Sequence, residues 1–461
     1  MGLTKPALVA AACIFCQTAA AQQTIDIPIE EARVIATRAL FAGDVELALQ
    51  IANGLLRANP DDRTALLVLA AAAPRAGDPE TGRKAGARAY ALSQTDPQRY
   101  EAARLTALAA ANQQRYTLAT FWLRRALNVV PNEEERARTL RDARGLRNLN
   151  PWSTNLSFSI VPSNNVNGGA EDAEITAAGQ VLTGTLSADA LALSGLRATF
   201  AVQTQYRLFG TATDRLSLAA SYQGARVKLE DEVVDDPTNP GAQVTLDADA
   251  FSFDAVEASV IYDRVLADSA VQLRWSAGSV DFGGDPYYDF TRFAISQRVP
   301  LSDSVDLQLS GRREWQYYES IGIRNVEATT FVAGLSYQWD NGNRLGGSLT
   351  LSQRDSESPN FNYDEWAFQS SFSFGQQLGP VTLGLNAGIR KADYPVYVLI
   401  GPVDGGRQDT TFFYGANVGF PDIEYAGFSP GLSISGSTAE SNVSRFTRDS
   451  FSVGLTLNSA F

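Results

Sequence analysis

Histidine is missing from all 461 residues, and there are only two cysteines and one methionine. Both cysteines, Cys13 and Cys16, lie near the start, and the methionine is Met1. Behind a removable leader the chain therefore holds no Cys, His or Met. That excludes Cys–His and Ser–His nucleophilic catalysis, Cys/His zinc sites and haem ligation by these residues. Nor can a disulfide staple the remainder. Positive charge is also short: 38 Lys+Arg stand against 51 Asp+Glu, a formal charge of -13. A nucleic-acid partner would normally demand the opposite balance. Carboxylates and Ser/Lys pairs are the main chemistry left, so an enzyme is disfavoured.

What is present begins with an address. Lys5 precedes an apolar stretch from Pro6 to Cys16, and Ala19-Ala20-Ala21 supplies a small-residue cleavage site before Gln22. An apolar stretch of this length is too short to span a bilayer and reads as a secretory signal over 1–21. A lipoprotein signal at Cys13 is weaker, because Ala10 stands where an aliphatic residue is usual.

The remaining chain changes texture at Asn148-Leu149-Asn150-Pro151-Trp152, where Pro151 would halt a helix. Residues 22–150 are rich in Ala, Leu, Arg and Glu at helical spacing. Small residues recur in pairs 12 apart, Ala36/Ala48, Ala70/Gly82 and Ala107/Ala119, with Gly43 and Gly77 at the intervening turns. This resembles the tetratricopeptide repeat, a helix-turn-helix of about 34 residues. Glu133–Arg147 then reads as a capping helix. Such a stack offers a concave face for an extended peptide or a partner helix.

Residues 151–461 alternate with period two. Phe451, Val453, Leu455 and Leu457 face one way, and Ser452, Gly454 and Thr456 the other. The same dyad runs through Phe331/Ala333/Leu335/Tyr337 and Trp366/Phe368. An apolar face opposite a polar or tiny face, sustained over long strands, predicts a transmembrane barrel. The reading yields 14 antiparallel strands. Outer connections are expected at 162–186, 230–246, 282–285, 318–324, 356–362, 393–406 and 438–444. Inner turns are expected at 210–213, 263–267, 301–302, 341–342, 377 and 421. Long outer loops and short periplasmic turns are the usual asymmetry, with the helical region held in the periplasm. Trp152, Trp275, Trp339, Tyr317, Tyr318, Tyr337 and Trp366 are candidates for aromatic girdles. Phe461 resembles the terminal signal by which the barrel-assembly machinery recognises its substrates.

Several short stretches point further. Asn150-Pro151-Trp152 leads into Pro162-Ser163-Asn164-Asn165-Val166-Asn167, and Asp281-Phe282-Gly283-Gly284 is followed by Tyr288-Asp289. Near the end come Gly427-Phe428-Ser429-Pro430, Ser441-Asn442-Val443 and the final Phe461. With the signal, the helical domain and the barrel, these resemble the surface lipoprotein assembly modulator (modifier) family of Gram-negative bacteria. The resemblance implies an outer-membrane translocator that displays lipoproteins on the cell surface. Its expected partners are a lipoprotein client, outer-membrane lipid and a periplasmic chaperone, and no cofactor is implied. A porin or a polysaccharide-export barrel is the alternative.

The first and last outer loops should meet beside the junction of the first and last strands. Ser163, Asn164, Asn165, Ser441 and Asn442 are therefore candidates for a hydrogen-bonded seam that opens as a lateral gate. The acidic loop with Glu230, Asp231, Glu232, Asp235 and Asp236 offers carboxylates suited to Ca²⁺, though solvation alone explains such a loop. Arg312, Arg313 and Glu314 are expected to charge the lumen.

Overall fold

The computed structural model describes residues 27–319, 324–423 and 428–459. The expected leader and Phe461 lie outside these residues. The chain divides into two compact units after Trp122, ahead of the change in texture, so the last helix belongs to the unit that contains the barrel.

The first unit is a succession of helix pairs: α1 (Ile29–Ala42), α2 (Val45–Ala58), α3 (Arg63–Ala72), α4 (Pro79–Ala91), α5 (Asp96–Asn112) and the start of α6 (Tyr116–Leu127). Gly43 ends α1 at φ +81°, a left-handed conformation that favours glycine. Asp44, Asp62 and Asp78 then cap α2, α3 and α4, accepting from the N–H groups of Leu47, Ala65 and Thr81. The recurring small residues are where the helices crowd. Ala36, Ala48, Ala70, Ala107 and Ala119 are all buried. A Cβ on Gly82 would lie 3.1 Å from the Ala70 carbonyl oxygen and closer still to Pro74. A polar device also repeats. Arg33 Nε donates to Asp62 at 2.8 Å, and Arg63 donates to Ser93 and to the Gln98 carbonyl at 3.2 and 2.9 Å.

The second unit holds α7 (Glu133–Leu149), capped by Asn132, and a closed antiparallel barrel of 14 strands. Its opening strands are β1 (Trp152–Ser163), β4 (Gly195–Gly210), β5 (Asp214–Leu229) and β8 (Phe253–Leu266). Between them the outer loops carry two small hairpins, β2 (Glu174–Ala177) with β3 (Gln180–Thr185), and β6 (Val233–Asp235) with β7 (Gln243–Thr245). The wall continues with β9 (Ser269–Phe282), β10 (Asp285–Ser302), β11 (Val305–Tyr317), β12 (Val326–Gln338) and β13 (Arg344–Ser356). It closes with β14 (Tyr363–Ser373), β15 (Thr382–Tyr394), β16 (Arg407–Gly419), β17 (Phe428–Ser441) and β18 (Arg448–Ser459).

Period-two alternation explains the wall. Phe331, Leu335, Trp366, Phe368 and Leu455 stand exposed on the outside, whereas Ser217, Ser259 and Ser276 are buried on the lumen side. Fully burying an aliphatic or aromatic side chain is worth about 1.5–3 kcal/mol. A ring of such groups left facing outward is stable only against lipid.

The structure redraws several connections. Residues 188–190, 248–251 and 445–446, expected near the start of strands, lie in single 3₁₀ turns. Asp247 shows the cause, since its carboxylate accepts from the Asp249 N–H and turns the backbone away from a ladder. The expected single-residue turns at 377 and 421 are longer, because β14 stops at Ser373 and β16 at Gly419. Gly375 lies so close to the Gly342 backbone of the adjacent turn that a Cβ would overlap it at 2.0 Å. The short outer connection holds: Gly283 and Gly284 sit at φ +63° and +87°, the two-residue hairpin geometry that suits glycine. Tyr318 is no girdle residue. It is buried, packed edge-on to Tyr287 and Phe361. Arg313 shares the outward face of Phe331 and Phe293 and pairs with Glu327, so only Arg312 and Glu314 of the expected trio face the lumen.

Candidate functional site at the barrel seam

Consecutive strands of the barrel are joined along the chain, but β1 and β18 meet without a connection between them. Among the described residues their ladder is short and interrupted. Ser157 to Ile160 pair with Asn458 to Leu455, and Ser163 pairs alone with Ser452, five registered pairs among the described residues. The neighbouring interfaces β1–β4 and β17–β18 have 12 each. The register is the same on both sides of the gap, yet Val161 and Pro162 make no pair with β18. Proline has no N–H to give a ladder. Val161 leans over Gly454, where a Cβ would lie 2.3 Å from its methyl group.

Beyond Ser163, side chains take over from backbone. Asn164 Oδ1 accepts from the Phe451 N–H at 2.8 Å. The buried Asn165 donates to the Gly169 and Asp449 carbonyls at 2.9 and 3.2 Å and accepts from the Gly169 N–H at 2.8 Å. The first outer loop then lies along the last one. The Thr176 N–H donates to Ser444 Oγ, and the Ser444 hydroxyl donates to the Glu174 carbonyl, both at 2.8 Å. The Ala178 N–H donates to the Asn442 carbonyl at 2.9 Å, and Arg445 to the Ala190 carbonyl at 3.0 Å. Val443 is completely buried in a cluster with Ala177 and Tyr397. Burial, and next the charge of Asp449, push the Glu171 carboxyl above its ordinary value in this loop.

The five candidate residues thus divide. Asn164 and Asn165 cross the seam with their side chains. Asn442 crosses it with its backbone carbonyl, while its side chain binds the Gln408 N–H and the Gly406 carbonyl at 2.7 and 2.9 Å. Ser163 and Ser441 accept from Asn165 and Val443, each two residues on, and shape their own turns.

Sequence reasoning passed over Ser444, Glu174 and Arg407. The Arg407 guanidinium lies 3.6 Å from the Phe446 ring centre and 3.7 Å from that of Tyr394, and it donates to Asp409 at 2.8 Å. The spacing Arg407-Gln408-Asp409, two like-facing positions of one strand, was the available signal.

The lumen itself is two-sided. Beside the seam it shows hydroxyls: Ser435–Ser452 and Ser437–Ser450 at 2.8 Å, and Ser159–Thr199 at 2.6 Å. Across β8–β13 runs an ionic chain. Arg292 binds Glu257 and Glu314 at 3.1 and 2.7 Å, Gln316 donates to Glu314 at 2.6 Å, and Arg354 donates to Gln316 at 2.7 Å. The acidic loop does not gather: among the described residues no three His, Cys, Asp or Glu converge as a metal site. Asp236 instead accepts from the N–H and hydroxyl of Thr238, which holds its carboxyl below the ordinary range.

Three solved barrels are similar to this chain. They are the loop L8 deletion mutant of OmpT from Vibrio cholerae (9% identity, 67% of this chain and 100% of that one, TM-score 0.34), OccAB3 from Acinetobacter baumannii (8%, 67% and 98%, 0.36) and a Rhodopseudomonas blastica porin triple mutant (13%, 67% and 99%, 0.29). At these scores they carry no argument. No curated relative matches the chain in sequence. The model of one family, described as surface lipoprotein assembly modifier, matches residues 152–461, the whole barrel together with its seam. The chain belongs to the surface lipoprotein assembly modifier family and is an outer-membrane barrel protein.

Proposed function

We propose that this protein moves lipoproteins across the outer membrane and displays them on the cell surface. In this reading the helical unit engages the client or a periplasmic chaperone. The observation that carries it is the family match over the entire barrel. The two-sided lumen supports it, since the hydroxyls beside the seam can exchange hydrogen bonds with a passing polypeptide in many arrangements. The lipid anchor needs a different route. Each methylene moved from hydrocarbon into water costs about 0.8 kcal/mol, so an acyl chain stays in the bilayer while the polypeptide uses the lumen. The β1–β18 seam is where those two routes can join, because among the described residues it has the fewest ladder pairs to part. Protease shaving of intact cells with and without the gene tests the reading. Loss of one or a few lipoproteins from the surface, at unchanged total amount, is expected and names the client. Unchanged display, with altered solute uptake or lost polysaccharide, moves the assignment to a porin or an exporter.

A further inference from the structure

On the outside of the barrel, at the outer end of the seam, Pro162, Asn164, Leu196, Lys228, Phe451 and Val453 line a groove of about 690 Å³. That is the size class of single small-ligand sites, roughly 300–1,000 Å³. By the alternation of their strands these residues share the faces of the exposed Ile160, Phe200, Leu218 and Leu455, so the groove opens toward lipid. Its floor includes Ser163 and Ser452, the isolated pair of the β1–β18 ladder. The groove therefore lies over the gap that Pro162 and Val161 leave in the ladder.

We propose that this groove receives an acyl chain of a lipoprotein anchor as the anchor passes the seam. The inference rests on the transport reading and deepens it by naming where the lipid is held. Leu196, Phe451 and Val453 supply apolar contact along the chain. At the outer end, Lys228 carries an ammonium group, and Asn164 spends only its Oδ1 on the Phe451 N–H, leaving Nδ2 as a donor. The ester and amide carbonyls that crown the acyl chains of a lipidated cysteine accept such bonds. A chain seated here competes with no bond of the β1–β18 ladder, because Pro162 makes no pair with β18.

The test uses the full chain in lipid nanodiscs and a synthetic triacylated lipopeptide with a diazirine in one acyl chain. Mass spectrometry after illumination maps the label. The expected result is label concentrated on Leu196, Phe451 and Val453, several-fold above the equally outward Leu349 and Leu351 of β13. Val453→Trp, which fills the groove, should cut that label several-fold while heat-modifiable migration stays normal. Leu196→Trp is the second variant, filling it from β4. Uniform labelling around the barrel overturns the proposal. So does equal groove labelling by a diazirine phosphatidylethanolamine, which would make it a general lipid surface. Protease shaving separates the two levels. Uniform labelling with gene-dependent display removes only the groove, whereas concentrated labelling with gene-independent display removes the transport reading.

Discussion

Two junctions of the same barrel solve the same pairing problem differently. β10 and β11 share 13 registered pairs and are braced across the lumen face by Arg292 and Glu314 at 2.7 Å. Among the described residues β1 and β18 share five, then hand closure to Asn164, Asn165 and the outer loops. Each net hydrogen bond contributes about 0.5–1.5 kcal/mol. Ladder bonds form and break as a cooperative run, whereas side-chain and loop bonds can be released a few at a time. On the transport reading proposed above, the contrast gives rigidity to the ionic wall and releasable closure to the seam.

Damage to the ionic wall should have the largest effect on stability. Glu314→Leu leaves Arg292, Gln316 and Arg354 with a broken chain, and removing one partner of a buried pair costs about 3–5 kcal/mol. The expected outcome is a clearly lower midpoint for the heat-modifiable gel shift, much of it regained when Arg292→Leu is added. At the seam, Asn165→Ala removes the shorter acceptor of the Gly169 N–H and the amide donor to the Gly169 and Asp449 carbonyls, at about 1–3 kcal/mol. Hydrogen exchange should quicken at Gly169 and along the outer end of β18 while β10 and β11 keep their protection.

Outside the barrel, Asp62→Ala removes the α3 cap and the partner of Arg33 together. A cap alone is worth about 1 kcal/mol. Limited proteolysis should find the helical unit weakened and the barrel unchanged. The smallest effect is one of pH. Glu171 binds its proton more tightly in the docked loop than when free. The protonated form therefore favours docking, and that contribution fades as pH rises from the ordinary glutamate value through the raised one. Cleavage of the first outer loop by added protease should be easier at neutral pH than at acidic pH.

Much of this contrast was legible in the sequence, for physical reasons. The barrel followed from period two, since one misplaced residue would turn Phe451 or Phe331 from lipid to lumen. The seam's location followed from closure alone, which makes the first and last strands neighbours. What the sequence hid was the loop geometry. Ala188–Ala190 and Ala248–Phe251 look like strand extensions until a local Asp or a 3₁₀ turn bends them away. The partners of Asn442 were hidden too, because an Asn offers donors and acceptors in every direction. Tyr318 differs from Tyr317 only by one step of alternation, and that step moves it from the outer surface into an aromatic cluster.

The most direct measurement locks one junction at a time. Ser159→Cys with Thr456→Cys spans the seam at a registered pair, and Thr330→Cys with Ser352→Cys does the same between β12 and β13. Cys13 and Cys16 are the chain's own cysteines, so the new pairs stand alone in the barrel. Surface lipoprotein is then measured by protease shaving under oxidising and reducing conditions. The account predicts that the oxidised seam abolishes display, that reduction restores it, and that the β12–β13 bridge changes nothing. Full display from cells whose seam is completely oxidised would contradict it.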